Sequence, residues 1–167
     1  YLVQELRFKH SDSIIELGSF ALIFTIFCFF SLYNALNFID GCNGVSISIV
    51  IYWTVFLFIA NNNLQYFFVI LVMLIIFFYN LNGKIFLGNS GTSLLSIFIC
   101  LSIVLDYNNL EKRIYADEIL FLLFFPGIDM IRVTLQRIIN KKKIYIADQS
   151  HFHHYLLKND YKFIWLI

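Results

Sequence analysis

Apolar stretches of nearly membrane-spanning length follow one another along this 167-residue chain with only short polar breaks between them. A helix needs about 20 residues, within a range of roughly 17–25, to cross the hydrocarbon core of a bilayer. Leu17 to Leu36 meets that length unaided. Val45 to Ala60 and Leu64 to Tyr79 are shorter. Asn61-Asn62-Asn63 between them is too polar for lipid and too short for anything but a tight turn, so the two stretches read as a helical hairpin. Thr92 to Leu105 is extended by the uncharged Leu87 to Gly91. Ile119 to Ile139 is long enough but carries Pro126-Gly127 inside it. Proline removes a backbone donor and clashes with the preceding turn, so a kink or break is expected near Pro126.

The expected fold is all-α: a polytopic transmembrane helical bundle of five spans, with a sixth begun at Phe163-Ile164-Trp165-Leu166-Ile167. Composition agrees. The chain is 60% hydrophobic and 14% charged, against roughly 45–50% and 25% in soluble domains. A net charge of +1 offers no basic field to grip a nucleic-acid backbone, which excludes nucleic acid as the partner and leaves the lipid bilayer. Cys28, Cys42 and Cys100 lie far apart, with no disulfide framework or paired metal spacing among them. The chain opens at Tyr1 without an initiator methionine and without a signal-peptide pattern. It reads as one integral-membrane domain over 1–167, an internal piece of a longer protein and incomplete at both ends.

Counting crossings puts the connections around Asp40, Asn89 and His151 on one face. The segment before Ser13, the Asn61–Asn63 turn and the loop from Asp106 to Asp117 fall on the other. Lys84, Arg137, Lys141, Lys142, Lys143 and Lys158 lie on the first face, against Arg7, Lys9, Lys112 and Arg113 on the second, so the first face is expected to be cytoplasmic.

That face is unusual in its polar content. Asn34 and Asn37 stand at the end of a span, before Asp40-Gly41-Cys42-Asn43-Gly44. Such a turn presents oxygens and backbone N–H groups to a polar ligand, and equally serves to cap two helices. Gly83-Lys84-Ile85-Phe86-Leu87-Gly88-Asn89-Ser90-Gly91-Thr92 is a glycine-spaced loop running into a helix. Its small residues let backbone N–H groups approach a phosphate, with Lys84 adding charge, although it is no Walker A sequence and reads as well as a capped loop. Asp129 and Arg132 are three apart on one helical face, a functional candidate near membrane depth or a structural ion pair. Asp148-Gln149-Ser150-His151-Phe152-His153-His154 gathers three of the four histidines. Imidazoles so placed can bind metal, exchange protons or donate to phosphate oxygens.

Taken in order, NALNFIDGCNG, KIFLGNSGTSLL, PGIDMIRVTLQR and ADQSHFHHYL resemble the polyprenyl-phosphate N-acetylhexosamine-1-phosphate transferases of bacteria, from about Ser31 to about Leu156. The HxHH form is closer to the enzymes that start O-antigen, teichoic acid and related glycans than to the peptidoglycan translocase. The resemblance implies a bacterial inner-membrane enzyme with its active site on the cytoplasmic face. It would transfer a sugar 1-phosphate, N-acetylglucosamine 1-phosphate being the commonest, from a UDP-sugar to undecaprenyl phosphate with release of UMP. Mg2+ is the implied cofactor, and a homodimer is admitted. Carried over by position, Asp40, His151, His153 and His154 are the catalytic set. Asn34, Asn37, Asn43, Lys84, Asp129 and Arg137 bind or support substrate, and Asn89 takes the place of the magnesium-ligating aspartate in the family's GDxGS motif.

Two departures accompany the resemblance. Asn43 and Asn89 stand where the family has acids, and at Asn89 an oxygen ligand survives but a charge does not. The family's paired aspartates lie upstream of every motif quoted, and the chain contains no Asp-Asp. The chain alone is therefore expected to be inactive. Two rival readings are a noncatalytic paralogue on the same scaffold and a transporter or channel segment lined by Asp129 and Arg132.

Overall fold

The computed structural model describes residues 2–40, 43–109 and 114–139, apart from the side chains at positions 12, 133, 136 and 137. Five helices follow one another: α1 (Ala21–Ile39), α2 (Val45–Asn61), α3 (Leu64–Leu81), α4 (Gly88–Tyr107) and α5 (Ala116–Ile139). By length and apolarity Gly18–Ile39, Leu64–Leu81 and Gly88–Tyr107 are long enough to cross a membrane, and α2 is a shorter apolar helix of 17 residues. The helix starting at Ala116 takes in Asp117 and Glu118, acids that favour a helix N-terminus. The sixth stretch at Phe163 lies outside the described residues.

Short connections make sequential helices run back and forth. α1 packs on α4 and α5, and α2 on α3 and α4. Leu36, Val50, Trp53, Leu57, Leu95, Ile99 and Leu122 form the common core. Between helices in lipid the driving force is packing rather than water exclusion, and small hydroxyl residues let backbones approach. Thr54, Thr92 and Ser96 are buried there, and each hydroxyl is satisfied within its own helix, on the carbonyls of Val50, Gly88 and Thr92. The outward faces are the apolar ones: Phe68 and Ile75 of α3, Leu94 of α4 and Phe121 of α5 are exposed. In water such faces would be sticky patches; in a bilayer they meet hydrocarbon.

Two findings depart from the sequence reading. Of the kink or break expected near Pro126, the break does not occur: α5 runs as one helix from Ala116 to Ile139 with Pro126 inside it. The carbonyl that Pro126 cannot serve is that of Leu122, four residues earlier, and it accepts the indole N–H of Trp53 at 3.1 Å. The second departure is an antiparallel hairpin, β1 (Glu5–Phe8) with β2 (Ser11–Glu16), ahead of the bundle. Tyr107 holds it down: its hydroxyl accepts from Arg7 N–H at 2.7 Å and donates to the Glu5 carbonyl at 3.0 Å, while the Arg7 guanidinium lies 4.8 Å from the centre of its ring. Lys9 adds an ion pair to Glu118. The hairpin therefore marks one end of the bundle, and the Asp40 turn lies at the other.

Candidate functional site

At the Asp40 end, α1 closes with the Asp40 backbone N–H donating to the Leu36 and Asn37 carbonyls at 3.2 and 3.3 Å. The chain re-enters the bundle at Gly44, whose φ is +85°. A Cβ there would lie 2.6 Å from Leu81 Cδ2, a side-chain tip that can turn aside, so it is the left-handed backbone that demands glycine. The Gly44 N–H donates to Asn80 Oδ1, and Asn80 Nδ2 donates to the Ile85 carbonyl at 2.7 Å. Asn80 is 4% exposed. One buried amide thus joins the α1–α2 turn to the α3–α4 loop, two segments that are remote in sequence.

Asp40 is held from two helix starts. Its Oδ1 accepts from Ser46 Oγ at 2.8 Å, in the first turn of α2, and its carboxylate also accepts from the backbone N–H of Gly88, the first residue of α4. Burial lifts the Asp40 carboxyl above the usual carboxylate range, and these two hydrogen bonds draw it back in part. The bonds with Gly88 and Asn80 bring the acid turn and the glycine-spaced loop together.

At the start of α4, the N-cap residue Leu87 makes no side-chain capping bond. Gly88 has φ +59°, and Asn89 and Ser90 are exposed. Thr92 and Ser93 hydroxyls fold back on the Asn89 carbonyl at 3.1 and 2.6 Å, leaving the N-terminal face of the helix to its backbone N–H groups. Such a terminus attracts anions through orphan N–H groups and the helix dipole.

The other predicted residues divide into three groups. Asn34 and Asn37 are half-buried on the last turns of α1, with Asn37 Nδ2 3.4 Å from the Tyr33 hydroxyl. Asn43 is half-buried, and a Cβ at Gly83 would lie 3.6 Å from its Nδ2. Lys84 is exposed, with its ammonium 6.0 Å from the Tyr79 ring centre. Asp129 is 6% exposed and takes an ion pair from Arg132 at 2.7 Å, so this acid and base bond to each other on one helix. The Arg137 side chain and the whole of His151, His153 and His154 lie outside the described residues.

Sequence reasoning passed over Asn80 and Ser46. An amide at the end of an otherwise apolar span, just before Asn82-Gly83, was the available signal for Asn80. Among the described residues no group of three or more His, Cys, Asp or Glu forms a metal cage. Among the described residues around this turn, Asp40 offers a carboxylate and Asn43 and Asn89 offer side-chain amide oxygens. That hard-oxygen set fits Mg2+, which keeps waters and takes substrate phosphates beside one or two carboxylates. At the hairpin end the buried Asp106 accepts from Asn61 Nδ2 and from the Tyr66 hydroxyl at 2.6 Å, tying together the ends of three helices.

The chain is 30% identical over 153 residues to a probable undecaprenyl-phosphate N-acetylglucosaminyl 1-phosphate transferase of Bacillus subtilis, a match covering 85% of this chain and 42% of that protein. It is 27% identical over 133 residues to an undecaprenyl-phosphate alpha-N-acetylglucosaminyl 1-phosphate transferase of Thermotoga maritima, over 79% and 42% of the two chains. The Escherichia coli protein of that same name is 21% identical over 154 residues, 85% and 42% of each. The chain thus spans about two-fifths of the length of the curated relatives it matches. No solved structure matches significantly. Residues 2–106, well over half of the chain, match the model for glycosyl transferase family 4. That match takes in the Asp40 turn, Asn80 and the start of α4, the elements gathered at one end of the bundle, and it places this chain in glycosyl transferase family 4.

Proposed function

We propose that the full-length protein transfers a sugar 1-phosphate, N-acetylglucosamine 1-phosphate in the first instance, from a UDP-sugar to undecaprenyl phosphate and so starts a cell-envelope glycan. The observation that carries this reading is the meeting of Asp40, Asn80 and the start of α4 at one end of an apolar bundle. There a water-borne nucleotide and a lipid-borne phosphate can reach the same residues. We assign this end to the cytoplasmic face of a bacterial plasma membrane, with five spans in this chain and a sixth begun at Phe163.

In the reaction a phosphate oxygen of undecaprenyl phosphate attacks the sugar-bearing phosphorus of the UDP-sugar. The bond from that phosphorus to the bridging oxygen breaks, and UMP leaves with the bridging oxygen and its electron pair. Phosphoryl transfer of this kind asks the protein for positioning and charge stabilisation more than covalent help. The N–H groups at the start of α4 would take up donor phosphate oxygens, and Lys84 would add positive charge at the rim. Asn34, Asn37 and Asn43 would shape the nucleotide pocket. Asp40 and Asn89 would hold Mg2+, which would supply charge neutralisation to the leaving group. His151, His153 and His154, with Arg137, would contact the donor diphosphate, and Asp129 would steady α5 through Arg132.

A second reading, a paralogue that keeps the scaffold without the chemistry, is favoured by one observation, the amides at positions 43 and 89. The test is direct. Full-length protein in bilayers with undecaprenyl phosphate, Mg2+ and UDP-N-acetylglucosamine is expected to release UMP. Absence of release with every amino-sugar donor supplied rejects the transferase and leaves the paralogue.

A further inference from the structure

The register between two helices fixes the height of the Asp129–Arg132 pair. α2 runs from the Asp40 end toward the hairpin, while α5 begins at the hairpin end, where Glu118 pairs with Lys9, and runs back. The Trp53 indole N–H of α2 reaches the Leu122 carbonyl of α5 at 3.1 Å, which puts these two residues at about one level. Gly44 lies nine residues before Trp53, and Arg132 ten residues after Leu122. At about 1.5 Å per helical residue these are roughly 14 and 15 Å beyond that bond, so Arg132 reaches the level of the turn that holds Asp40.

Leu122, Pro126 and Asp129 follow the i, i+4, i+7 spacing of one helical face, and all three are buried. Asp129 thus continues the inward stripe of α5, and Arg132, whose side chain is 43% exposed, stands beside it at the rim. Asp129 Oδ1 accepts from Arg132 Nε at 3.1 Å and from Nη2 at 2.7 Å. A guanidinium holds five N–H donors in a rigid fork that matches phosphate oxygens in pairs. The buried acid sets the plane of that fork. An acid and base at this depth are costly to a membrane protein and mark a functional place.

The neighbouring surface tells which phosphate. On the membrane side of Arg132, α2 and α5 leave an open apolar groove walled by Ile49, Tyr52, Phe125 and Pro126. Tyr52 is 54% exposed and Phe125 58%, so the groove opens on the surrounding lipid. A nucleotide has no apolar part to lay there, whereas a lipid phosphate has an anion for Arg132 and hydrocarbon for the groove. We infer that Arg132 binds the phosphate of the lipid acceptor, with Asp129 as its positioning partner; the inference rests on the transferase reading above. The two substrates then divide the end of the bundle, donor phosphates at the start of α4 and acceptor phosphate at α5.

The test uses full-length protein in nanodiscs of neutral lipid, with UMP release measured against undecaprenyl phosphate and against UDP-N-acetylglucosamine. Arg132→Gln is expected to raise KM for undecaprenyl phosphate about tenfold or more while KM for the nucleotide stays within about twofold. Arg132→Lys, which keeps the charge and loses the fork, should raise the acceptor KM only about threefold. Native mass spectrometry reads binding without catalysis: the parent should retain undecaprenyl phosphate at least tenfold over undecaprenol, and Arg132→Gln should lose that preference. An unchanged acceptor KM, or equal rises in both KM values, overturns the assignment and leaves the pair structural. Nanodiscs of phosphatidylglycerol should move the acceptor KM less than threefold; a tenfold rise makes Arg132 a site for any anionic headgroup and overturns its assignment to the acceptor. Where Arg132→Gln fails to fold, the double substitution Asp129→Asn/Arg132→Gln leaves no buried acid without its base and decides in its place. Absence of UMP release from the unsubstituted protein overturns the transferase reading, and the retention ratio then supports or overturns the Arg132 site by itself.

Discussion

The indole N–H of Trp53 donates to the carbonyl of Leu122 at 3.1 Å, the one backbone acceptor in α5 that Pro126 deprives of its ordinary helical donor. Trp53 is fully buried and Leu122 nearly so. An orphaned carbonyl at that depth has no water to turn to, so a side chain from α2 completes the helix. Trp53→Phe keeps most of the ring volume and removes the donor, and it is expected to cost about 1–3 kcal/mol of stability. Pro126→Ala returns an N–H to Leu122, so in that background the cost should fall by about 1 kcal/mol or more. A thermodynamic cycle over the four proteins measures this coupling.

Asp40 predicts a pH effect. Its carboxyl is raised above 3.8 by burial, and the Ser46 hydroxyl works against that rise. An acid with a raised folded-state pKa binds its proton more tightly folded than unfolded. Stability is therefore greatest below the ordinary value and declines as pH climbs through the raised range. Activity that needs the carboxylate runs the other way, falling as pH drops through that range. Ser46→Ala removes an interaction that favours the charged form. The acid limb of kcat/KM should then move to higher pH, and Asp40→Asn should abolish the limb together with most activity.

Tyr107 separates structure from chemistry. Its hydroxyl bridges Arg7 and Glu5 of the hairpin, at the end of the bundle remote from Asp40. Tyr107→Phe leaves the ring and its contact with the Arg7 guanidinium but deletes the bridge. Backbone amide exchange over residues 5–8 should quicken at least tenfold, reporting local opening. UMP release should change less than twofold.

Gly44 carries a steric prediction. Its φ of +85° is left-handed, which strains alanine, and an alanine methyl 2.6 Å from Leu81 Cδ2 would also push that side chain aside. Gly44→Ala should cost about 1–3 kcal/mol for the backbone alone. It should also loosen the bond to Asn80 and lower activity at least tenfold, since that amide ties the Asp40 turn to the Asn89 loop. Activity within twofold of the parent would detach this tie from function.

Much of this was legible in the chain because span length is fixed by the bilayer. The observed ends of α2, at Val45 and Asn61, and of α3, at Leu64 and Leu81, fall within two residues of where the apolar runs stop. The hairpin was not legible. Its turn, between Phe8 and Ser11, uses Lys9-His10 in place of the glycine, asparagine or aspartate that favoured hairpin turns require, and Ile14-Ile15 breaks simple alternation. Its order comes from Tyr107, about 100 residues away. The continuity of α5 was hidden for the same reason, because Pro126 announces a lost hydrogen bond and only the fold reveals Trp53 replacing it. At the Asp40 end the glycines and acid were visible as local signals, whereas Asn80 acts across 36 residues of sequence and carries no local mark beyond its place at the end of a span.

Asn89 gives the sharpest prediction about the metal. It opens α4 beside Gly88, whose N–H holds Asp40, and offers an amide where the resembled family has an acid. A neutral amide oxygen can ligate a hard cation, but a carboxylate adds the charge that sets affinity. A negative side chain there is also favoured by the helix N-terminus, by about 0.3–1 kcal/mol at an exposed site. Asn89→Asp should therefore fold at least as stably as the parent and lower the Mg2+ concentration for half-maximal UMP release about tenfold. Asn89→Ala should raise it by a similar factor. Identical magnesium curves for all three proteins would remove residue 89 from the proposed metal site and leave Asp40 as the proposed ligand.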